Sequence, residues 1–181
     1  MILFYISIEG DGMMFVEGTY VLNAKNGICK VEGIVTLDAS IGDGNQQYYL
    51  LIPEEEASAR VYIPVEGAEQ RMRGVIGAAE AWKIIDSIPE IEEMKVLSDK
   101  ERERQYKEAI QSCRPEALVS IIKAMYLRKQ SRIAQGKKNT AVDEKYFKIA
   151  ENNLYAELAF ALGKQKQEMQ KLISERIRKE A

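Results

Sequence analysis

The chain has 181 residues, 46% of them hydrophobic and 30% charged, and its formal net charge is −2. This composition can bury a core in one ordinary domain or two small ones, and it is typical of neither a disordered chain nor a membrane protein. The sequence contains no histidine, which excludes serine–histidine and cysteine–histidine catalysis and every histidine-ligated metal site.

The first part of the chain predicts short β-strands. Turn residues separate them, and Asn26-Gly27 is the strongest tight-turn signal. Strands at this close spacing favour a small, strongly bent antiparallel barrel. The β-forming residues that carry this prediction lie at 15–22, 28–37, 47–52, 60–65 and 72–76.

After Gly77 the hydrophobic residues recur at helical spacing. The first helix carries Trp82, the only tryptophan, which we expect to be a core anchor. Ser98 and Thr140 are suited to cap the starts of later helices. The predicted later helices cover residues 98–112, 115–136 and 142–162, and a last one carries Met169, Leu172, Ile173 and Ile177. The predicted fold class is α+β: a small Tudor/SH3-like antiparallel barrel at residues 13–75, then an all-α domain of about five helices at residues 76–181.

Few residues are arranged as catalytic or metal-binding groups are. The run Gly42-Asp43-Gly44 lacks the lysine and the helix entry of a phosphate-binding loop, so it predicts a hairpin turn. The carboxylates near Glu90 match no calcium loop, and the two cysteines cannot build a metal cage. We therefore expect a protein that is not an enzyme and that needs no cofactor, metal or small-molecule substrate.

The small net charge conceals two opposite halves. Residues 1–70 hold 11 acids and three bases, whereas residues 71–181 hold 17 acids and 23 bases. Between residues 123 and 148 eight bases face only two acids. Such a surface predicts sequence-independent contact with DNA phosphates, although helices also often carry a surplus of lysine. The residues predicted to contact DNA are Lys100, Arg102, Arg104, Lys107, Arg128, Lys129 and Lys138.

Several segments resemble motifs of the CarD/CdnL/TRCF family, in order and at matching spacings. Residues 18–34 resemble its entry motif, residues 48–52 its central Y-Y-x-L strand, and residues 61–73 its V-x-V-P-x-x-x-A signature and the following Met-Arg. In the helical half, residues 104–107, 121–128 and 157–159 are similar to its R-R-Y-K, V-V-R-D-L-[YW]-R-R and E-L-A segments.

The resemblance implies a bacterial transcription regulator. In that family a Tudor-like barrel binds the β subunit of RNA polymerase, and the helical domain touches promoter DNA at the upstream edge of the melting bubble and alters open-complex stability. In that family two arginines of the barrel contact polymerase, and in this sequence Leu37 and Tyr62 occupy their positions. We therefore assign polymerase binding to Leu37, Arg60 and Tyr62. In well-studied members of the family, a tryptophan just before the R-R-Y-K segment inserts into the minor groove of DNA. This sequence has no aromatic residue at that place, beside Arg102. We expect Arg102 to substitute for the tryptophan in part by entering a narrow minor groove.

A second hypothesis is a protein-interaction adaptor that keeps the barrel but has lost productive DNA contact. Salt-dependent DNA binding separates the two hypotheses. Residues 1–12 precede the family's start, so we expect Met13 or Met14 to be the natural start. The opening segment lacks the features of a signal peptide, so we expect a cytoplasmic protein that does not bind a membrane.

Overall fold

The computed structural model describes residues 15–37, 46–96 and 98–180. The chain divides after Val75 into two compact units, the β unit (residues 1–75) and the helical unit (residues 76–181). Strands come first and helices second, so the predicted α+β fold class is confirmed. The expected turn at residues 41–45 and the expected start of the first domain at residue 13 lie outside the described residues.

The described β unit is a five-stranded antiparallel sheet with the strand order β4-β3-β2-β1-β5. Its side chains alternate between a buried face and an outer face, as a pleated sheet that covers a core requires. The strands are β1 (Tyr20–Asn23), β2 (Gly27–Thr36), β3 (Gln47–Pro53), β4 (Val61–Pro64) and β5 (Met72–Gly74). A short 3₁₀ turn, Ala68–Gln70, precedes β5.

The core of the β unit lies on one face of the sheet. Val21, Val31 and Leu51 are completely buried there, and the Tyr49 ring meets the Phe15 ring edge-on at 5.6 Å between centroids. The register between β2 and β3 shifts between Val31 and Gly33, where Gly33 has a φ of 146°. A bulge of this kind bends the strand, as the expected strongly curved sheet requires.

The turn between β1 and β2 is held by Asn23. Its side-chain oxygen accepts hydrogen bonds from the backbone N–H groups of Lys25 (3.1 Å) and Asn26 (3.0 Å). Its amide nitrogen donates to the carbonyl of Arg71 at 3.0 Å, which ties this turn to the start of β5. Gly27 takes a φ of 70°, so the predicted tight turn at Asn26-Gly27 is confirmed.

The described helical unit contains five α-helices. Ser98 Oγ accepts from the N–H of Glu101 at 3.2 Å, and Thr140 Oγ1 accepts from the N–H of Asp143 at 3.1 Å, so both predicted caps are confirmed. Gly163, with a φ of 62°, ends the longest helix. The helices are α1 (Ala78–Ser87), α2 (Asp99–Gln111), α3 (Pro115–Ala134), α4 (Ala141–Leu162) and α5 (Met169–Glu180).

Trp82 packs between α1 and α5 but is only half-buried. The guanidinium carbon of Arg176 lies 5.7 Å from the centre of the indole, and Arg176 also forms a two-point ion pair with Asp86 at 2.8 and 3.2 Å. Trp82 is therefore a half-buried residue of α1 that contacts α5, and not the core anchor that we expected.

The strap segment (residues 89–94) follows α1 and lies against α3. Lys123 Nζ donates to the carbonyl of Ile91 at 2.7 Å, and Ser120 Oγ donates to that of Glu92 at 2.8 Å. The N–H of Met94 donates to the carbonyl of Ser120 at 3.1 Å. Side chains and backbone of α3 thus hold a segment that has no regular secondary structure of its own.

Among the described helices, none is long and apolar enough to cross a membrane.

Candidate partner-binding surfaces

The β4 strand is an edge of the described sheet. It pairs with β3 on one side, and no strand among the described residues pairs with its other side. The outward backbone N–H and C=O groups of such a strand can pair with a strand of another chain. The strand is short and ends at Pro64, which has no N–H to donate.

The exposed side chain of this edge is aromatic. Tyr62 lies directly opposite Leu50 of β3. The two share the outer face, because the sequence neighbours of Leu50 are core residues and those of Tyr62, Val61 and Ile63, pack against the same core. Tyr62 is 41% exposed, and Leu50 is half-buried. The edge therefore offers apolar surface beside backbone groups that are not paired by any strand of the described residues.

The three residues predicted to bind polymerase do not form one cluster. Arg60 is exposed immediately before β4, where its guanidinium donates to the carbonyls of Ala57 (3.0 Å) and Ala59 (2.9 Å). Leu37 is half-buried after the end of β2, two strands away from β4 and four residues further along the chain than Gly33, which is in register with Leu50 and Tyr62. Arg60 and Tyr62 thus share the edge, and the role of all three residues stays a prediction.

The sequence profile of the CarD-like/TRCF RID domain matches residues 15–76. This span contains all five strands of the described sheet. Residues 15–76 form a CarD-like/TRCF RID domain. The predicted resemblance is confirmed for residues 15–76, and this domain supports an RNA polymerase-interacting, transcription-related protein. The resemblance of the helical half to the family stays a prediction. No curated protein matches the chain.

The core of the RID domain contains a thiol that does not ionise easily. Cys29 is completely buried, and this burial, with a smaller effect of the Glu54 charge, raises the pKa of its thiol to about 11. A thiol that stays protonated at neutral pH is a poor nucleophile and a poor metal ligand. Cys29 therefore acts as a small core residue.

Outside the RID domain, helix α2 pairs most of its own charges. Arg104 forms ion pairs with Glu101 and Glu108, and these two carboxylates raise the pKa of the guanidinium above its usual value. Lys107 Nζ lies 3.2 Å from Glu103 Oε1. Two of the bases predicted to contact DNA are thus partly neutralised by neighbours on the same helix.

Arg102 lies in the interior of the helical unit, which differs from the exposed position that we expected. It belongs to the buried ion cluster, which consists of Arg102, Arg128, Asp143 and Tyr106. Asp143 is completely buried, with Arg102 Nε at 3.2 Å and Arg128 Nε at 3.1 Å from its oxygens. The hydroxyl of Tyr106 donates to the same carboxylate at 3.4 Å, and burial together with the Asp143 charge raises the pKa of Tyr106 to about 12.

The buried ion cluster joins α2, α3 and α4. The side chain of Arg102 is 10% exposed and that of Arg128 is 30% exposed. A guanidinium as enclosed as that of Arg102 cannot enter a DNA groove unless the helices rearrange. The expectation that Arg102 substitutes for a wedge side chain is therefore corrected, because Asp143 holds it inside.

A second group of bases stays in solvent. This α3–α4 basic surface consists of Lys129, Arg132, Lys137 and Lys138, around the turn between the two helices. Arg132 Nε donates to the carbonyl of Lys138 at 2.9 Å, which orders the turn. Within the described residues, no carboxylate pairs with Lys129, Lys137 or Lys138, all of which are exposed. Lys100, at the start of α2, is also exposed.

Proposed function

We propose that this protein is a bacterial transcription regulator. Its RID domain binds the β subunit of RNA polymerase through β4, and its helical unit contacts promoter DNA and changes the lifetime of the open complex. The observation that carries the proposal is a RID domain whose edge strand presents an exposed tyrosine beside backbone groups that no described strand pairs.

The edge supports a contact made by backbone hydrogen bonds and apolar area. An incoming strand can pair with β4 while its side chains pack on Tyr62 and Leu50. Apolar and backbone contacts are weakened little by salt, whereas contacts between exposed charges are screened. We therefore infer that polymerase binding by this protein depends less on salt than its DNA contact does.

The DNA contact is assigned chiefly to the α3–α4 basic surface and to Lys100. These bases lack carboxylate partners in the described part of the chain, so they can neutralise phosphates without first breaking an ion pair. Arg104 and Lys107 can contribute only by exchanging their glutamate partners for phosphates. Arg102 is a positioning residue that acts through Asp143 and α4.

The adaptor hypothesis is favoured by one specific observation. Of the seven bases predicted to contact DNA, Arg102, Arg104, Lys107 and Arg128 all pair with carboxylates. A helical unit with so many paired bases could serve mainly as a scaffold. Salt-dependent binding of the full chain to a promoter duplex supports the regulator, and its absence supports the adaptor.

The test of polymerase binding is a titration of the full chain with the isolated β-subunit lobe. Tyr62→Glu should weaken binding by about tenfold or more, since it places a charge in an apolar contact. Tyr126→Glu is the matched control, because Tyr126 is also exposed but lies on α3 of the helical unit. Equal affinities of the two variants and the wild type would contradict the assignment to the β4 edge.

A further inference from the structure

The second half of α3 carries large hydrophobic side chains in solvent. Tyr126 is 54% exposed, Leu127 is 51% exposed and Ile133 is 55% exposed. Single exposed apolar residues are ordinary, but Tyr126 and Ile133 lie on the same side of the helix, two turns apart, whereas Leu127 points about 100° away from Tyr126. Two large apolar side chains on one exposed helix face can form an interaction surface. The core side of α3 carries Leu118, Ile121 and Met125, which are buried, so these three exposed residues do not belong to the core of the helical unit.

The surface alternates between apolar and positive groups. Tyr126, Lys129 and Ile133 follow the i, i+3, i+7 spacing, so they lie along one face of the helix and span roughly 10 Å. Lys129 is thus placed between the two apolar side chains. We call this set the α3 outer face, and it continues into the α3–α4 basic surface.

The charge around the α3 outer face is of one sign. No acid occurs between Glu116 and Asp143, although six bases do. A second copy of the chain placed on the same face would bring lysines against lysines. An apolar peptide helix would bury Lys129 without a counter-charge, which is costly. The occupant that fits is anionic and has apolar surfaces between its charges.

We propose that the α3 outer face binds single-stranded DNA, with an unpaired base stacked on Tyr126 and phosphates at Lys129 and Lys138. A single strand presents flat apolar bases and phosphates in alternation, which matches the alternation of this face. Every base has a π-face, so such stacking is tolerant of sequence. The proposal rests on the DNA contact proposed above and adds that the preferred partner is unpaired DNA.

The experiment compares binding of the full chain to a labelled oligo(dT) strand and to a duplex, by fluorescence anisotropy over a salt series. The wild type should bind the strand more tightly than the duplex. Tyr126→Ala should weaken strand binding by about tenfold and leave the salt slope unchanged, because stacking releases no counterions. Tyr126→Phe keeps the ring and should keep the affinity. Lys129→Ala should lower the salt slope by about one unit on both DNAs.

The outcomes separate this inference from the proposed function. Salt-dependent duplex binding with no effect of Tyr126→Ala on the strand would overturn the inference and leave the regulator intact. Strand binding that depends on Tyr126, without binding to duplex or polymerase, would support the inference and overturn the regulator. Displacement of the strand by polyglutamate at equal charge would assign the face to acidic proteins and overturn the inference. Circular dichroism of each variant checks that the helices remain folded.

Discussion

The RID domain and the helical unit present their candidate contacts in different ways. In the RID domain, the position of β4 at the edge of the sheet makes backbone groups and one tyrosine available. In the helical unit, the available groups are the bases that no carboxylate pairs within the described part of the chain. The topology of the sheet determines the surface at β4, and ion pairing between neighbouring side chains determines which bases of the helical unit are available. Neither surface can therefore be identified by counting charges in the sequence.

We expect the largest effect from removing the buried ion cluster, which tests whether the stability of the helical unit depends on it. Asp143→Ala leaves Arg102 buried without its counter-charge and should lower the free energy of unfolding by about 3–5 kcal/mol. Glu144→Ala, one position further on an exposed site, should change it by no more than about 0.5 kcal/mol. Urea unfolding followed by Trp82 fluorescence measures both. Equal stabilities would show that the cluster contributes little.

The response to alkali should differ between the two units. Burial raises the pKa of Cys29 from 9.0 to about 11 in the RID domain, and that of Tyr106 from 10.0 to about 12 in the helical unit. Each group is held neutral by the fold, so its contribution is complete below the unfolded pKa and is lost as the pH rises towards the folded pKa. The loss is about 1.4 kcal/mol for each pH unit between the two values.

We therefore expect the RID domain to lose stability from pH 9 and the helical unit from pH 10. Mass-spectrometric mapping of Cys29 alkylation reports opening of the RID domain, and Trp82 fluorescence reports the helical unit. Alkylation of Cys29 at pH 8, at the rate of an unstructured peptide, would contradict its burial. Simultaneous loss of both signals would contradict the difference between the units.

The smallest effect compares a paired base with an unpaired one. Lys107→Ala should lower the salt slope of duplex binding by clearly less than Lys129→Ala does, because Glu103 already neutralises Lys107. Both lysines are exposed, so neither change should alter folding. Equal changes in slope would mean that the Lys107–Glu103 pair breaks readily on DNA and would weaken the contrast between the two groups of bases.

Signals within a few residues predicted most of the fold. The caps at Ser98 and Thr140 and the end of the helix predicted over residues 142–162 depend on neighbouring residues, and they are found where expected. Strand β1 is shorter than predicted because a turn precedes it, with Gly18 at a φ of 80° and the N–H of Thr19 donating to the carbonyl of Val16.

The candidate surfaces were less predictable, since they depend on contacts between distant residues. Arg102 is buried because Asp143, in another helix, lies beside it, and no local pattern reveals that pairing. A signal did exist, because Asp143 is one of only two acids among eight bases between residues 123 and 148. The exposure of Tyr126 and Ile133 depends on how the other helices pack against α3, which periodicity within α3 does not specify.

The strap segment gives the chain an uneven resistance to proteolysis. A protease needs an extended stretch of free backbone, and the carbonyls of Ile91 and Glu92 are occupied by Lys123 and Ser120. The turn after β3 carries the exposed Glu54 and Glu56, and its backbone is held within the β unit, by the Glu54 N–H on the Ile28 carbonyl and the Ala59 N–H on the Glu56 carbonyl, both at 2.9 Å. Opening a few residues frees this turn, whereas the strap segment must also leave the side chains of α3. A glutamate-specific protease should therefore cut the acidic segment within the RID domain more easily than the strap segment.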